Sequence, residues 1–212
     1  MQDYLYGATS GFTQTIIGHP MDTYKVRFQN GILSKNGVGW SGIKYPLFSS
    51  MFINAGVFGT YNQFKNIGMN NFQSGFMSGL IISPFVFLSD VGKVKKQTGK
   101  SFDWDNIRYQ KGIFSTTIKE SFSFGIYFYT FNILKDLDIH PFISGGLSGI
   151  ISWASTYPFD VIRNRQIFSN MTMCNAFKKG NLMIGFWICM ARAFVVNSSG
   201  LWVYDVLKIK YG

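Results

Sequence analysis

Four stretches of this chain, residues 4–21, 45–64, 66–89 and 141–159, contain no charged side chain. Each approaches the roughly 20 mostly apolar residues that a helix needs to cross a bilayer. Two further stretches, 112–135 and 185–208, have the same character but are interrupted, the first by Lys119 and Glu120, the second by Arg192. A bilayer offers no water to backbone N–H and C=O groups, so segments within it must satisfy those groups internally, as helices. The pattern predicts six membrane-spanning helices at about 4–30, 42–65, 68–97, 112–135, 141–168 and 185–208.

Composition and charge placement agree. Charged residues are 14 % of the chain, where soluble domains average about 25 %. Fourteen of the 20 basic residues flank three connections, those after the first, third and fifth predicted helices. The positive-inside tendency puts these connections on the inner side of the membrane and both termini outside. The net charge of +10 points to anionic partners such as lipid headgroups or anionic solutes. The opening MQDYLYGATSG has neither an Arg-rich amphipathic leader nor a cleavable apolar region, so internal targeting is expected. Cys174 and Cys189 have no ligand-like spacing and are expected to be buried thiols.

The predicted helices form a threefold repeat. Gly11, Gly75 and Gly149 each lie nine residues before a proline, Pro20, Pro84 and Pro158, late in an odd-numbered helix. Gly42, Gly112 and Gly185 open the even-numbered helices, which close on YNQFK (61–65), FNILK (131–135) and YDVLK (204–208). The repeats divide the chain at 1–66, 67–137 and 138–212. Proline inside a helix removes a hydrogen bond and bends the rod. Three such bends at equivalent places would converge on one axis and close a cavity at its inner end. The fold expected is an all-α membrane protein, with six transmembrane helices in three pseudo-symmetric two-helix repeats around a central cavity.

PMDTYKVRFQ (20–29) and PFDVIRNRQ (158–166) resemble the signature P-x-[DE]-x-x-[KR]-x-[KR]-x-Q of the mitochondrial carrier family. ARAFVVNSSGLWVYDVLK (191–208) resembles the last helix of carriers for carnitine and basic amino acids. The likeness runs over about 4–208. The compact repeats also resemble, in style, carriers encoded by giant viruses. The resemblance implies a multi-pass protein of the mitochondrial inner membrane, that of a host cell for a virus-encoded member, working as a monomer by alternating access.

It also implies roles for residues. In the family, the acid and base of each odd-helix motif join in a ring that closes the inner gate; here these are Asp22, Lys25, Asp160 and Arg163. With the repeats anchored on the prolines, Val86 and Ser89 occupy the acid and base positions of the third helix. Only Asp160–Lys25 would then survive, Asp22 and Arg163 would lose their partners, and Lys93 could reach Asp22. An incomplete ring predicts a less stable outward-facing state and some uncoupled uniport. The outer gate follows [FY]-[DE]-x-x-[KR]: Lys65, Lys135, Asp205 and Lys208 are present, with Asn62 and Asn132 in place of two acids, so a cationic, weakly latched rim is expected. The glycines that open the even helices, Gly42, Gly112 and Gly185, match the family's cardiolipin headgroup sites, and helix N-termini attract phosphate.

Ser49, Lys119 with Glu120, and Arg192 match the three positions at which the family contacts solute. Two solute classes fit. Lys119 and Arg192 could hold the phosphates of nucleotides or deoxynucleotides, the slightly favoured reading, with Phe124 or Tyr127 stacking a base. Alternatively Glu120 would take the ammonium and Arg192 the carboxylate of carnitine, acylcarnitine or a basic amino acid. A basic nucleic-acid-binding protein fits less well, because the bases do not line one soluble face. Nor is an enzyme expected. His19 and His140 each precede a proline, with no nucleophile or metal ligand at useful spacing, and read as helix-end residues. No phosphate-binding GxxxxGK[ST] occurs, and no metal or cofactor is expected.

Overall fold

A computed structural model describes residues 2–29, 43–97 and 110–211. These residues form seven helices and no strand: α1 (Gln2–Gln29), α2 (Lys44–Asn66), α3 (Asn71–Gln97), α4 (Ile113–Asp136), α5 (Pro141–Ser169), α6 (Met173–Lys178) and α7 (Phe186–Tyr211). The six long helices fall where the charge-free stretches predict them. The six-residue α6 is the addition, lying in the third basic connection.

Turn chemistry explains the short reversals between neighbours. After α2, Gly68 takes the left-handed conformation (φ 96°), which a residue without Cβ adopts freely, and Met69 N–H closes on the Phe64 carbonyl at 3.2 Å. The same turn follows α4, with Asp138 (φ 53°) in the left-handed position and Ile139 N–H on the Leu134 carbonyl at 3.2 Å. Asn70 then accepts from Gln73 N–H at 2.8 Å, and Gln73 Oε1 accepts back from Asn70 N–H at 3.3 Å, a reciprocal N-cap for α3. His140 caps α5 by accepting from Phe142 N–H at 3.3 Å, the helix-end role expected of it. His19 behaves otherwise: it is buried inside α1.

The three prolines lie inside unbroken helices, Pro20 in α1, Pro84 in α3 and Pro158 in α5. Pro84 cannot donate to the carbonyl of Leu80; the hydroxyl of Ser83 donates to it instead, at 3.0 Å. Between α4 and α5, Ser152 Oγ donates to the Ser123 carbonyl at 2.6 Å. Small residues also bring α3 against α4: a Cβ on Gly75 or Gly79 would stand 2.5 Å from the carbonyl oxygen of Phe124 or Glu120.

Each long helix packs on the next, in the order α1, α2, α3, α4, α5, α7 and back to α1, while α1, α3 and α5 also touch one another. The interior is polar. Asp22, Lys25, Lys119, Glu120, Asp160 and Arg163 are buried among many serines and threonines, whereas Phe52, Phe85, Phe114, Trp187 and Trp202 stand more than half exposed. This inverts the arrangement of a water-soluble domain. By length and composition, one stretch of helix, Asn71–Lys95, is apolar enough to cross a membrane among the described residues.

Candidate functional site

A cavity of about 260 Å³ runs down the centre and is lined from all six long helices. A second compartment of about 130 Å³ adjoins it and shares Gln14, Asn54, Lys119, Glu120, Phe124, Trp153 and Asn197 with the first. Phe58, Tyr127 and Phe128 give the second compartment aromatic walls.

At the end of the cavity nearer the basic connections, three ion pairs join α1, α3 and α5. Lys25 meets Asp160 at 2.6 Å, Lys93 pairs with Asp22, and Arg163 meets Asp90 at 2.7 Å. Each pair takes its acid from one odd helix and its base from another, so the three close a triangle. The expectation of an incomplete ring is thereby corrected. Asp22 and Arg163 do not lose their partners, Lys93 does reach Asp22, and the ground for predicting uncoupled uniport is removed.

The error came from the choice of anchor. Asp90 lies nineteen residues after the first residue of α3, as Asp160 does in α5; Lys93 and Arg163 both lie twenty-two residues in. Measured from the helix start, the acid and base are in register and Pro84 lies one turn early. Anchored on the proline, the same motif pointed to Val86 and Ser89. Val86 instead packs with Val57, Tyr61, Ile82 and Phe128, and Ser89 shares a 2.6 Å hydrogen bond with Ser49. The DxxK spacing of Asp90 and Lys93 is the signal that could have found Asp90.

Above the triangle lie the residues expected to face solute. Ser49, Lys119, Glu120 and Arg192 all line the larger compartment, and each already has partners. Lys119 donates to Glu120 Oε1 at 2.7 Å, and Arg163 Nη1 donates to the same oxygen at 3.3 Å. Arg192 pairs with Asp22 through Nε, and its Nη2 donates to Asp22 Oδ2 at 3.2 Å. Buried charges are tolerated when paired and hydrogen-bonded in this way. Asp22 therefore holds two cations, and Arg163 is shared by Asp90, Asp160 and Glu120.

Trp153 was not anticipated. Its ring lies under three cations, with Lys119 Nζ 4.0 Å, Lys25 Nζ 4.8 Å and the Arg192 guanidinium carbon 5.5 Å from ring centroids. A π-face attracts cations, most strongly where water is scarce. A tryptophan in an otherwise apolar stretch gives no sign in the sequence of facing a cavity. Cys189 is buried, as expected, and lies 3.4 Å from Lys25 Nζ; Cys174 is exposed, contrary to expectation.

Of the outer-gate residues, Lys65 and Lys135 sit exposed in the last turns of α2 and α4. The side chains of Asp205 and Lys208 lie outside the described ones. Asn132, in place of an acid, donates to Tyr61 Oη at 3.1 Å, and that hydroxyl donates to Asn71 at 3.1 Å. A neutral network thus links α2, α3 and α4 at that end. Gly112 and Gly185 precede α4 and α7 with positive φ, 126° and 78°; Gly42 lies outside the described residues. Around α6, Arg165 donates to the carbonyls of Ala176 at 3.0 Å, Gly180 at 2.7 Å and Asn181 at 3.3 Å, pinning the short helix to α5. No metal-binding cluster occurs among the described residues.

A six-helix ring around a charged cavity, with three acid–base pairs at one end, is the architecture of a solute carrier. The mitochondrial carrier protein family's sequence profile matches residues 138–212. The mitochondrial basic amino acids transporter of Homo sapiens is 30 % identical over an alignment covering 77 % of this chain and 70 % of the relative. The mitochondrial arginine transporter BAC2 of Arabidopsis thaliana is 24 % identical, covering 97 % of this chain and 90 % of that protein. Solute carrier family 25 member 45 of Homo sapiens is 22 % identical over 100 % of this chain and 99 % of that protein. The chain belongs to the mitochondrial carrier family. It is a transporter and not an enzyme, and its place is the mitochondrial inner membrane.

Proposed function

We propose that the chain is a six-span, three-repeat carrier (repeats at 1–66, 67–137 and 138–212) that moves amino acids with a basic side chain by alternating access. The observation that carries this reading is the charge balance of the cavity. Its bases, Lys25, Lys93, Lys119, Arg163 and Arg192, face the acids Asp22, Asp90, Glu120 and Asp160. A solute carrying both signs can take a place in such a network. Arg192 would hold the carboxylate, Glu120 the α-ammonium, and Lys119 and Ser49 would complete the site. Gln14, Asn54 and Asn197, which line both compartments, offer carbonyl oxygens to a side-chain guanidinium or ammonium.

The nucleotide reading fares worse on the same ground. A triphosphate would meet four carboxylates lining its site, and the five bases exceed them by a single charge. The similar proteins named for basic amino acids and arginine favour the amino-acid alternative over nucleotides.

The exposed aromatic and aliphatic side chains support burial of the outer surface in acyl chains, with the basic connections inside. Asp22–Lys93, Asp90–Arg163 and Asp160–Lys25 would form the inner gate, closed in this conformation. Lys65, Lys135, Asp205 and Lys208 would rim the outer one. Gly112 and Gly185, with Gly42 by analogy, would present free N–H groups of helix starts to phospholipid headgroups, cardiolipin among them. The carrier would act as a monomer, each copy enclosing its own cavity.

Exchange assays in liposomes test this reading, with labelled arginine, lysine, carnitine and deoxynucleotides offered in parallel. Arginine or lysine exchange is expected, with a loss of at least about 100-fold in Arg192→Ala, because a buried ion pair with one partner removed costs about 3–5 kcal/mol. Deoxynucleotide exchange without amino-acid exchange would refute it.

A further inference from the structure

Two side chains that face the cavity are engaged by residues of the ion-pair triangle. Arg192 on α7 pairs with Asp22 of α1. Glu120 on α4 accepts from Arg163 of α5 at 3.3 Å as well as from Lys119 at 2.7 Å. The two ties have opposite polarity. In one α7 supplies the cation; in the other α4 supplies the anion. The first therefore bolts α7 to α1 and the second α4 to α5, each at a corner of the triangle.

We propose that solute opens the inner end by exchanging partners at both ties, its carboxylate replacing Asp22 on Arg192 and its ammonium replacing Arg163 on Glu120. This rests on the amino-acid reading above and adds how that solute drives movement. At the moment of exchange the number of ion pairs is nearly conserved: Asp22 still holds Lys93, and Arg163 still holds Asp90 at 2.7 Å and Asp160 at 2.8 Å, and the pairs of the triangle part only as the inner end then opens. What disappears is the charged tie of α7 to α1 and of α4 to α5 at the corners of the triangle. A solute shifts a conformational equilibrium only through unequal affinity for the two states. A molecule with both the α-carboxylate and the α-ammonium releases both ties. One that lacks either α-group occupies the site, releases one tie and leaves the other bolted. Both α-groups are thus needed for transport, while either suffices for binding.

Arginine, its decarboxylated analogue agmatine, and its desamino analogue 5-guanidinopentanoate separate these steps in proteoliposomes. Both analogues should inhibit arginine exchange competitively, yet each should itself be exchanged at least tenfold more slowly than arginine. A second measurement uses the competition for Arg192. Asp22→Asn removes the carboxylate that rivals the solute, so 5-guanidinopentanoate should stabilise the detergent-purified carrier at lower concentration. Lys93→Gln leaves Asp22 to Arg192 alone, so the same analogue should be needed at higher concentration. The two midpoints should differ by about tenfold, on either side of wild type. Agmatine carried as fast as arginine, or the two variants shifting the same way, overturns the proposal and leaves the substrate reading intact. Absence of arginine and lysine exchange by the wild type overturns the substrate reading, and the proposal with it.

Discussion

Replacing Asp90 by Asn tests the ion-pair triangle at the corner that the signature motif does not reveal. Asn keeps the volume and removes the charge that meets Arg163 at 2.7 Å. Removing one partner of a fully buried pair costs about 3–5 kcal/mol. Two features lower that figure here. The Asp90 side chain is 17 % exposed, and Arg163 retains Asp160 at 2.8 Å and Glu120 at 3.3 Å. The remaining loss lies between that of an exposed ion pair and that of a fully buried one, about 2 kcal/mol. Charged to the closed conformation alone, 2 kcal/mol raises the open fraction about 30-fold. Cys189 reports that fraction. Its thiol is buried in the closed form and lies 3.4 Å from Lys25 Nζ, so it should react with a maleimide once Lys25 leaves Asp160. Cys174 is exposed and is first replaced by Ser. In that background Asp90→Asn should raise the labelling rate of Cys189 about 30-fold, whereas Asp90→Glu should stay within about threefold of the parent. A folded Asp90→Asn protein that labels at the parental rate would show that this pair does not latch the inner end.

Three other substitutions bear on the packing. Arg165→Ala should release α6 from α5 and cost about 3 kcal/mol, read as a lower unfolding temperature in detergent; Lys should not restore it, since a point charge cannot serve three carbonyls spread over a planar fork. Gly79→Ala should push α3 off the Glu120 carbonyl, costing about 1–3 kcal/mol in thermal stability and slowing arginine uptake in liposomes. Tyr61→Phe should cost about 1 kcal/mol of stability by leaving Asn71 and Asn132 without their shared hydroxyl, with uptake largely retained.

The helices were legible because a lipid solvent writes a simple rule into the chain. Stretches without charge mark the crossings, and the structure moves their ends by only a few residues. Glycines and left-handed turns at Gly68 and Asp138 then show why α2–α3 and α4–α5 reverse so tightly. The partners of the buried charges were less legible, for a geometric reason. A motif gives the order of residues along one helix, whereas pairing depends on relative depth between helices. The proline was a poor gauge of depth, because a helix can host it one turn early if a neighbouring hydroxyl serves the orphaned carbonyl, as Ser83 serves Leu80. The acid and base have no such latitude. Moved a turn from their partners, Asp90 and Lys93 would be buried charges without compensation.

The same reasoning accounts for the charges that seemed to be solute contacts and nothing more. A cavity in a membrane bundle cannot keep several ionised groups idle, because each unpaired charge is expensive until solute arrives. Arg192 and Glu120 therefore find acids and bases within the protein: Arg192 takes Asp22, and Glu120 takes Lys119 beside it and Arg163, so that each has a partner in the ion-pair triangle. The resemblance to the family pointed to both residues as solute contacts, yet it could not show that at rest Arg192 meets Asp22 and Glu120 meets Arg163 beside Lys119. The cost of leaving them unpaired links an empty cavity to a closed inner end, and a solute that satisfies both charges removes the reason for that link.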